Sequence, residues 1–311
     1  MKIHKVILLL VVLTNQLIIN AQNITALKIS YANDLFTGTD QYFTQGIRIE
    51  LISPVFKKTP VSFLTFLPQN EGLVYHSIAI QQDGFTPTSI RYDSILANDR
   101  PFCGSLFFTN SLYACAESKK ALFHTQLDIG AIGPLALGFE EQTAIHKAIN
   151  DELPKGWKNQ IQNDLILNYK VAVQKSLFEK KLFDISMLSE IRIGTMYTDA
   201  AFGGKMRFGI KENWYSNIRL LKSNKLQIFA FAEGNLKAVG YNATMQGGLI
   251  NRASPFTLKS NEINRIVAFS AFGVVTSYRK VVIEYSQANI TREFKKGIPH
   301  AWGKLSLVFG F

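Results

Sequence analysis

The chain ends on WGKLSLVFGF, Trp302 to Phe311, and these ten residues alternate. Leu305, Leu307, Phe309 and Phe311 fall on one face. Lys304, Ser306 and Gly310 fall on the other, with Val308 as the exception. Side chains of a strand point to opposite faces in turn, so this is a strand with one apolar and one polar face. A tilted strand crosses a bilayer in about 9–11 residues, and this one has that length.

A final strand closing on a terminal Phe looks like the assembly signal of bacterial outer-membrane barrels. Working back from it, similar stretches recur: KVVIEYSQANIT, RIVAFSAFGVVTSY, LQIFAFAEGNLKAVG, GKMRFGIK, LFDISMLSEIRIGTMY and LILNYKVAVQKSLF. LFHTQLDIGAIG, GSLFFTNSLYACA, LVYHSIAIQQ, YFTQGIRIELI and a first strand from about Ala26 to Ala32 complete the set. SNK, YRK and KKG mark turns between several of them. A closed barrel leaves no unpaired edge in lipid, and bacterial single-chain barrels have even strand numbers. The expectation is an all-β fold, a transmembrane antiparallel barrel of about twelve strands. Trp302 is expected in an aromatic girdle.

The N-terminus, MKIHKVILLLVVLTNQLIINAQ, has Lys2 and Lys5 before an apolar run from Val6 to Leu13, then a small residue, Ala21. It reads as a signal peptide, residues 1–21, leaving 22–311 as one barrel domain. The run is too short to span as a helix, and no later window does so. The chain carries 34 Lys and Arg against 23 acids. Losing Lys2 and Lys5 leaves 32 against 23, or +9. Export excludes nucleic acid as the partner and leaves anionic lipid or basic loops. The two cysteines, Cys103 and Cys115, lie too far apart to bond along one strand, and within reach only if TNS turns the segment into a hairpin.

One segment breaks the strand pattern. In LGFEEQTAIHKAINDELPKGW, Leu137, Ala144, Ile145 and Ala148 have helical spacing, and Pro154 is the expected stop. In a barrel this helix belongs to the third loop opposite the termini, the extracellular side. Gln142 and His146, four residues apart, share a face. A second dense polar stretch, SYANDLFTGTDQYFTQGIRIE, places Asn33, Asp34, Asp40, Tyr42 and Thr44 between two strands. TGTD alone would make the turn.

NDLFTGTDQYFTQG, NDRPFCG, DIGAIGPLALGFEEQTAIH and GWKNQIQND resemble, in order, the motifs of the LpxR-type lipid A 3′-O-deacylases. The usual forms there are ND, D-x-x-YT-x-G, DRPYAG, GxxGP…G…Q-x-x-x-H and GW-x-x-Q-x-x-N. The resemblance implies a twelve-stranded outer-membrane barrel, a monomer, with a calcium-dependent esterase site near its outer rim. Carried over by motif, the site is Asn33, Asp34, Thr44, Gln142 and His146, with Asp34 and Asn33 as Ca²⁺ ligands. The implied substrate is lipid A (lipopolysaccharide) among outer-membrane lipids. YT reads YFT here: either Phe43 takes the Tyr position or the register slips by one, which would turn Thr44 to the other face. Asp99 and Arg100 of the DRPFCG segment are expected to pair across the lumen. Arg91 is the candidate for a basic residue that the family places before that motif.

The residue types suit ester hydrolysis. A His general base activates water, and a hard cation polarises the carbonyl. The chain has no G-x-S-x-G elbow. Two other readings stand beside this one: an outer-membrane phospholipase, which would need a Ser paired with His, and a non-catalytic barrel or pore.

Overall fold

The structure is a computed structural model. It describes residues 25–38, 41–59, 61–64, 73–116, 118–211, 220–221 and 223–311. The expected signal peptide and Asp40 lie outside these. Twelve strands are described: β1 (Ala26–Asn33), β2 (Tyr42–Ile52), β3 (Leu73–Thr86), β4 (Cys103–Ala116), β5 (Ala121–Ile132) and β6 (Asp164–Glu179), then β7 (Phe183–Gly194), β8 (Tyr197–Ile210), β9 (Gln227–Asn242), β10 (Ile266–Tyr278), β11 (Val281–Ile290) and β12 (His300–Gly310). Each is antiparallel to its chain neighbours, and β1 pairs with β12 from Ala26↔Gly310 to Asn33↔Gly303. Every strand edge is therefore used. Among the described residues two α-helices lie in connections, α1 (Gly138–Ile149) and α2 (Ala243–Gln246).

The outer face is apolar where strands alternate: Ile191, Ile193, Phe202, Phe208 and Ile210 are all exposed. An apolar surface this extensive belongs against lipid. No described helix is long and apolar enough to cross a membrane. Inside, the intervening residues are charged and paired: Arg207–Asp184 at 2.9 Å, Lys205–Glu233 at 2.9 Å, Lys304–Glu284 at 3.2 Å. The lumen also holds a polar cavity of about 460 Å³ lined by Lys28, Arg48, Asp128, Lys170 and Lys237, among others.

The lumen is capped by apolar clusters. At the end holding both termini, Ile52, Tyr75, Phe229, Val275 and Val308 pack with Leu220 and Leu221 from the β8–β9 connection. This accounts for Val308, which breaks the alternation of the last strand because it faces the plug and not water. Toward the far rim, Phe85, Phe107, Ile132, Ile161 and Ile166 form a second cluster.

Four expectations are revised. Trp302 is not in an outer girdle; it lines the lumen against Phe43, centroids 5.1 Å apart. Its register places it on the side of Lys304 and Ser306. Asp99 and Arg100 do not pair through their side chains. Asp99 accepts from Thr88, while the Arg100 guanidinium crosses the rim to Glu293 (2.7 Å), stacking on Phe85. The helix stops at Asn150, in the left-handed region (φ 57°), and not at Pro154. The strand read as GKMRFGIK starts earlier, at Tyr197, because small residues and a two-residue turn hide its first half. The open alternative of a TNS turn is settled as well: Cys103 and Cys115 lie near opposite ends of the continuous β4, both buried and with no disulfide between them.

Candidate active site

The polar stretch after Asn33 and the loop helix meet on the outer face of the barrel wall. Strand pairing sets this up. Asn33 lies opposite Gln45, Gln45 opposite Gly84 and Gly84 opposite Gly104, so one row crosses β1 to β4. The neighbours of this row, Asp83 and Phe85, face the lumen. The row therefore faces outward.

Thr44 joins the row through a β-bulge. Register shifts between Phe43, which pairs with Phe85, and Gln45, which pairs with Gly84. The extra residue puts two consecutive side chains, Thr44 and Gln45, on the outer face. Phe43 keeps the Tyr position of the motif and points into the lumen. Thr44 Oγ1 shares a hydrogen bond with Thr86 Oγ1 at 2.7 Å, and both are buried.

α1 is seated on this wall. Gln82 Nε2 donates to the Ala136 carbonyl (2.6 Å) in the turn before the helix. A Cβ on Gly104 would lie 3.1 Å from Ala136 Cβ, and one on Gly138 would lie 2.6 Å from the Trp157 ring. At Gly138 a side chain would collide with the Trp157 ring, and at Gly104 it would press tightly on Ala136.

The helix is inverted relative to a water-facing one. Leu137, Phe139 and Ile149 are exposed, whereas Gln142 is 1% and His146 7% exposed. Gln142 and His146 turn to the wall, while Leu137, Phe139 and Ile149 stand exposed beside Glu140 and Lys147, a mixed face that suits a helix at a membrane surface. Trp157 Nε1 donates to Gln142 Oε1 (2.7 Å), which fixes the amide and leaves its buried Nε2 without a partner. A buried, unused N–H donor is costly unless a ligand takes it.

His146 is held from behind. The left-handed Asn150 reverses the chain, and the Glu152 carbonyl lies 2.6 Å from His146 Nδ1. A carbonyl can only accept, so Nδ1 carries the proton and Nε2 is the free base. Asp151 Oδ2 lies 3.8 Å from Nδ1. Arg91 pairs with Glu152 at 2.8 Å, tying the preceding loop to this turn.

Glu141 faces the wall beside Gln45, with both carboxyl oxygens buried and outside hydrogen-bond geometry. Burial first, and then the Asp83 carboxylate across the wall, raise its pKa from 4.5 to about 7. Neither Glu141 nor Trp157 was singled out from the sequence. The GW of the motif marked Trp157, but its partner Gln142 is fifteen positions away. Nothing marked Glu141.

Asn33 and Asp34 shape the loop as well as flank the site. Asn33 Oδ1 accepts from Leu35 N (2.7 Å) and Nδ2 donates to Tyr31 OH (3.0 Å). Asp34, 3% exposed, accepts from Gln41 N at 2.7 Å. Their oxygens are hard donors of the type Ca²⁺ prefers. They are two donors where Ca²⁺ takes roughly 6–8. Among the described residues no group of three metal-ligating side chains forms. The fit is that of part of a site. No hydrogen bond joins Asn33 or Thr44 to Gln142 or His146; what the fold gives them is one side of one wall.

A closed twelve-strand barrel with a lipid-type outer belt is an outer-membrane barrel, and here it carries a His and a Gln against its outer rim. The chain belongs to the family described as "Outer membrane protein LpxR", whose profile matches residues 6–311. Its structure is similar to that of LpxR from Salmonella typhimurium, with a TM-score of 0.73 and 22% identity over 92% of this chain and 100% of that one. The β domain of the Bordetella autotransporter Brka aligns with a TM-score of 0.47 and 8% identity, over 93% of this chain and 98% of that one. No curated protein matches the sequence. With the outer membrane established, the end bearing the termini is periplasmic and the rim bearing α1 is extracellular.

Proposed function

We propose that this barrel hydrolyses the ester-linked 3′-acyl (acyloxyacyl) chain of lipid A in the outer leaflet. The observation that carries the reading is the His146 arrangement: a fixed Nδ1–H tautomer, on a helix whose polar face meets the lipid-side wall. A substrate lying in the membrane plane reaches such a site sideways, without entering the lumen.

In this reading His146 Nε2 takes the proton of a water as its oxygen bonds to the ester carbon. The unpartnered Gln142 Nε2–H donates to the oxygen that gains charge. The bond between the ester carbon and the sugar oxygen then breaks, and the imidazolium gives its proton to that sugar oxygen. Thr44 orients the water or the ester. Asp34 and Asn33 would hold Ca²⁺, which would supply polarisation of the ester carbonyl when bound.

The test is mass spectrometry of lipid A from a bacterial host expressing the chain, beside His146→Ala, with and without a calcium chelator. Loss of one acyloxyacyl unit, abolished by mutation and by chelation, is the expected result. Unchanged lipid A from a folded, heat-modifiable barrel overturns the reading, and hydrolysis of phosphatidylethanolamine instead would make it a phospholipase. Deacylation that survives His146→Ala removes His146 from the chemistry. The apolar plug of Leu220, Leu221 and Val308 speaks against an open pore.

A further inference from the structure

The periplasmic connections through 118–120, 180–182 and 279–280 are short, the usual form at this end of a barrel. The β2–β3 connection, 53–72, is far longer. Its described part does not hang into the periplasm. It climbs the outer wall as a strap, through short 3₁₀ turns at Pro54–Lys58 and Ser62–Leu64.

Two outward-facing polar side chains pin it there. Asn110 Nδ2 donates to Thr59 Oγ1 (2.9 Å), and Tyr169 OH donates to the Leu64 carbonyl (2.8 Å). Both pair with Leu127 in one cross-strand row, near the waist of the barrel. Polar groups on a lipid-facing wall are costly unless bonded. The strap also satisfies its own backbone, with Phe56 N, Thr59 N, Ser62 N and Leu64 N bonded to carbonyls three residues back. That is what an irregular segment needs at membrane depth.

Strap and wall enclose a groove of about 380 Å³, lined by Leu27, Leu51, Ile78, Ile80, Phe108 and Val61 among others. It runs from the Leu27↔Leu51 pair, one residue in from the periplasmic ends of β1 and β2, to Phe108 at mid-strand. That is the path of one acyl chain from the periplasmic surface to the bilayer midplane. Lys57 and Lys58, both exposed, end the first turn of the strap. Lys57 bears electrostatically on His76, the fourth residue from the periplasmic end of β3, a level where basic side chains can reach lipid phosphate.

We propose that this groove binds one glycerophospholipid of the periplasmic leaflet, its acyl chain under the strap and its phosphate on Lys57 and Lys58. The site is separate from the α1 wall, which serves the opposite leaflet.

The test is native mass spectrometry of the full barrel, released from vesicles of phosphatidylglycerol and phosphatidylethanolamine, beside Ile78→Trp and Lys57→Ala/Lys58→Ala. The wild type should retain one phospholipid. Ile78→Trp, which fills the groove, should reduce retention at least tenfold, and the double Lys variant severalfold. Heat-modifiability checks folding; should Ile78→Trp not fold, Val61→Trp on the strap fills the groove from the other side. No retained phospholipid on the wild type, retention unchanged in a folded filled variant, or lipopolysaccharide retained in its place would each overturn the proposal.

Discussion

The outer wall of this barrel carries two kinds of surface made by the same geometry. Across β7 and β8, outward positions hold Ile191, Ile193, Phe202 and Phe208, all exposed. Across β1 to β4 at the extracellular rim, the corresponding row holds Asn33, Gln45, Gly84 and Gly104, with Thr44 and Thr86 beside it. The first surface is paid for by lipid contact. The second is polar and glycine-thinned, stable only because α1 covers it with its own polar face. An outward position in a barrel is therefore not lipid-facing by default; what covers it decides the chemistry it can hold.

The comparison can be broken by acting on the covered patch and leaving the bare one as control. His146→Ala should cost about 10²–10⁴-fold in lipid A deacylation, the range for a lost general base, with the barrel still heat-modifiable. Gln142→Ala should cost about 10²–10³-fold in the same assay, as for a lost oxyanion donor. Phe202→Leu, on the bare wall, should change neither. Trp157→Phe keeps the ring under Gly138 and removes only the bond to Gln142. A neutral hydrogen bond is worth about 1 kcal/mol, so about a fivefold loss is expected.

The smallest effect sharpens the patch electrostatically. The folded pKa of Glu141 is raised to about 7 from 4.5. Its neutral form is thus favoured on folding, and that stability is present below pH 4.5 and is lost as pH rises to about 7. Glu141→Gln should flatten this part of the curve. Protection of α1 amides from hydrogen exchange at pH 5 and pH 8 measures it; an unchanged difference in the variant would show that Glu141 is not its source.

The sequence by itself determined the strands, the number needed for closure, the exported barrel class and the loop helix with His146 and Gln142 on one face. These follow from local patterns: alternation every two residues, helical spacing every three to four, and turn residues between. Asn33, Asp34 and Thr44 were legible through motif order. Only the tertiary structure decided which side of the wall they occupy. Alternation separates two faces without saying which neighbour each residue gains, and the row from Asn33 to Gly104 joins four strands by pairing alone. The bulge at Thr44 is a mismatch between two strands, so one strand cannot show it. The Glu152 carbonyl behind His146 and the Trp157 bond to Gln142 depend on where a chain reversal and a loop come to rest. Trp302 and Val308 belonged to the lumen for the same reason: a closed barrel has an inside, and its ends are sealed by residues that meet only after closure.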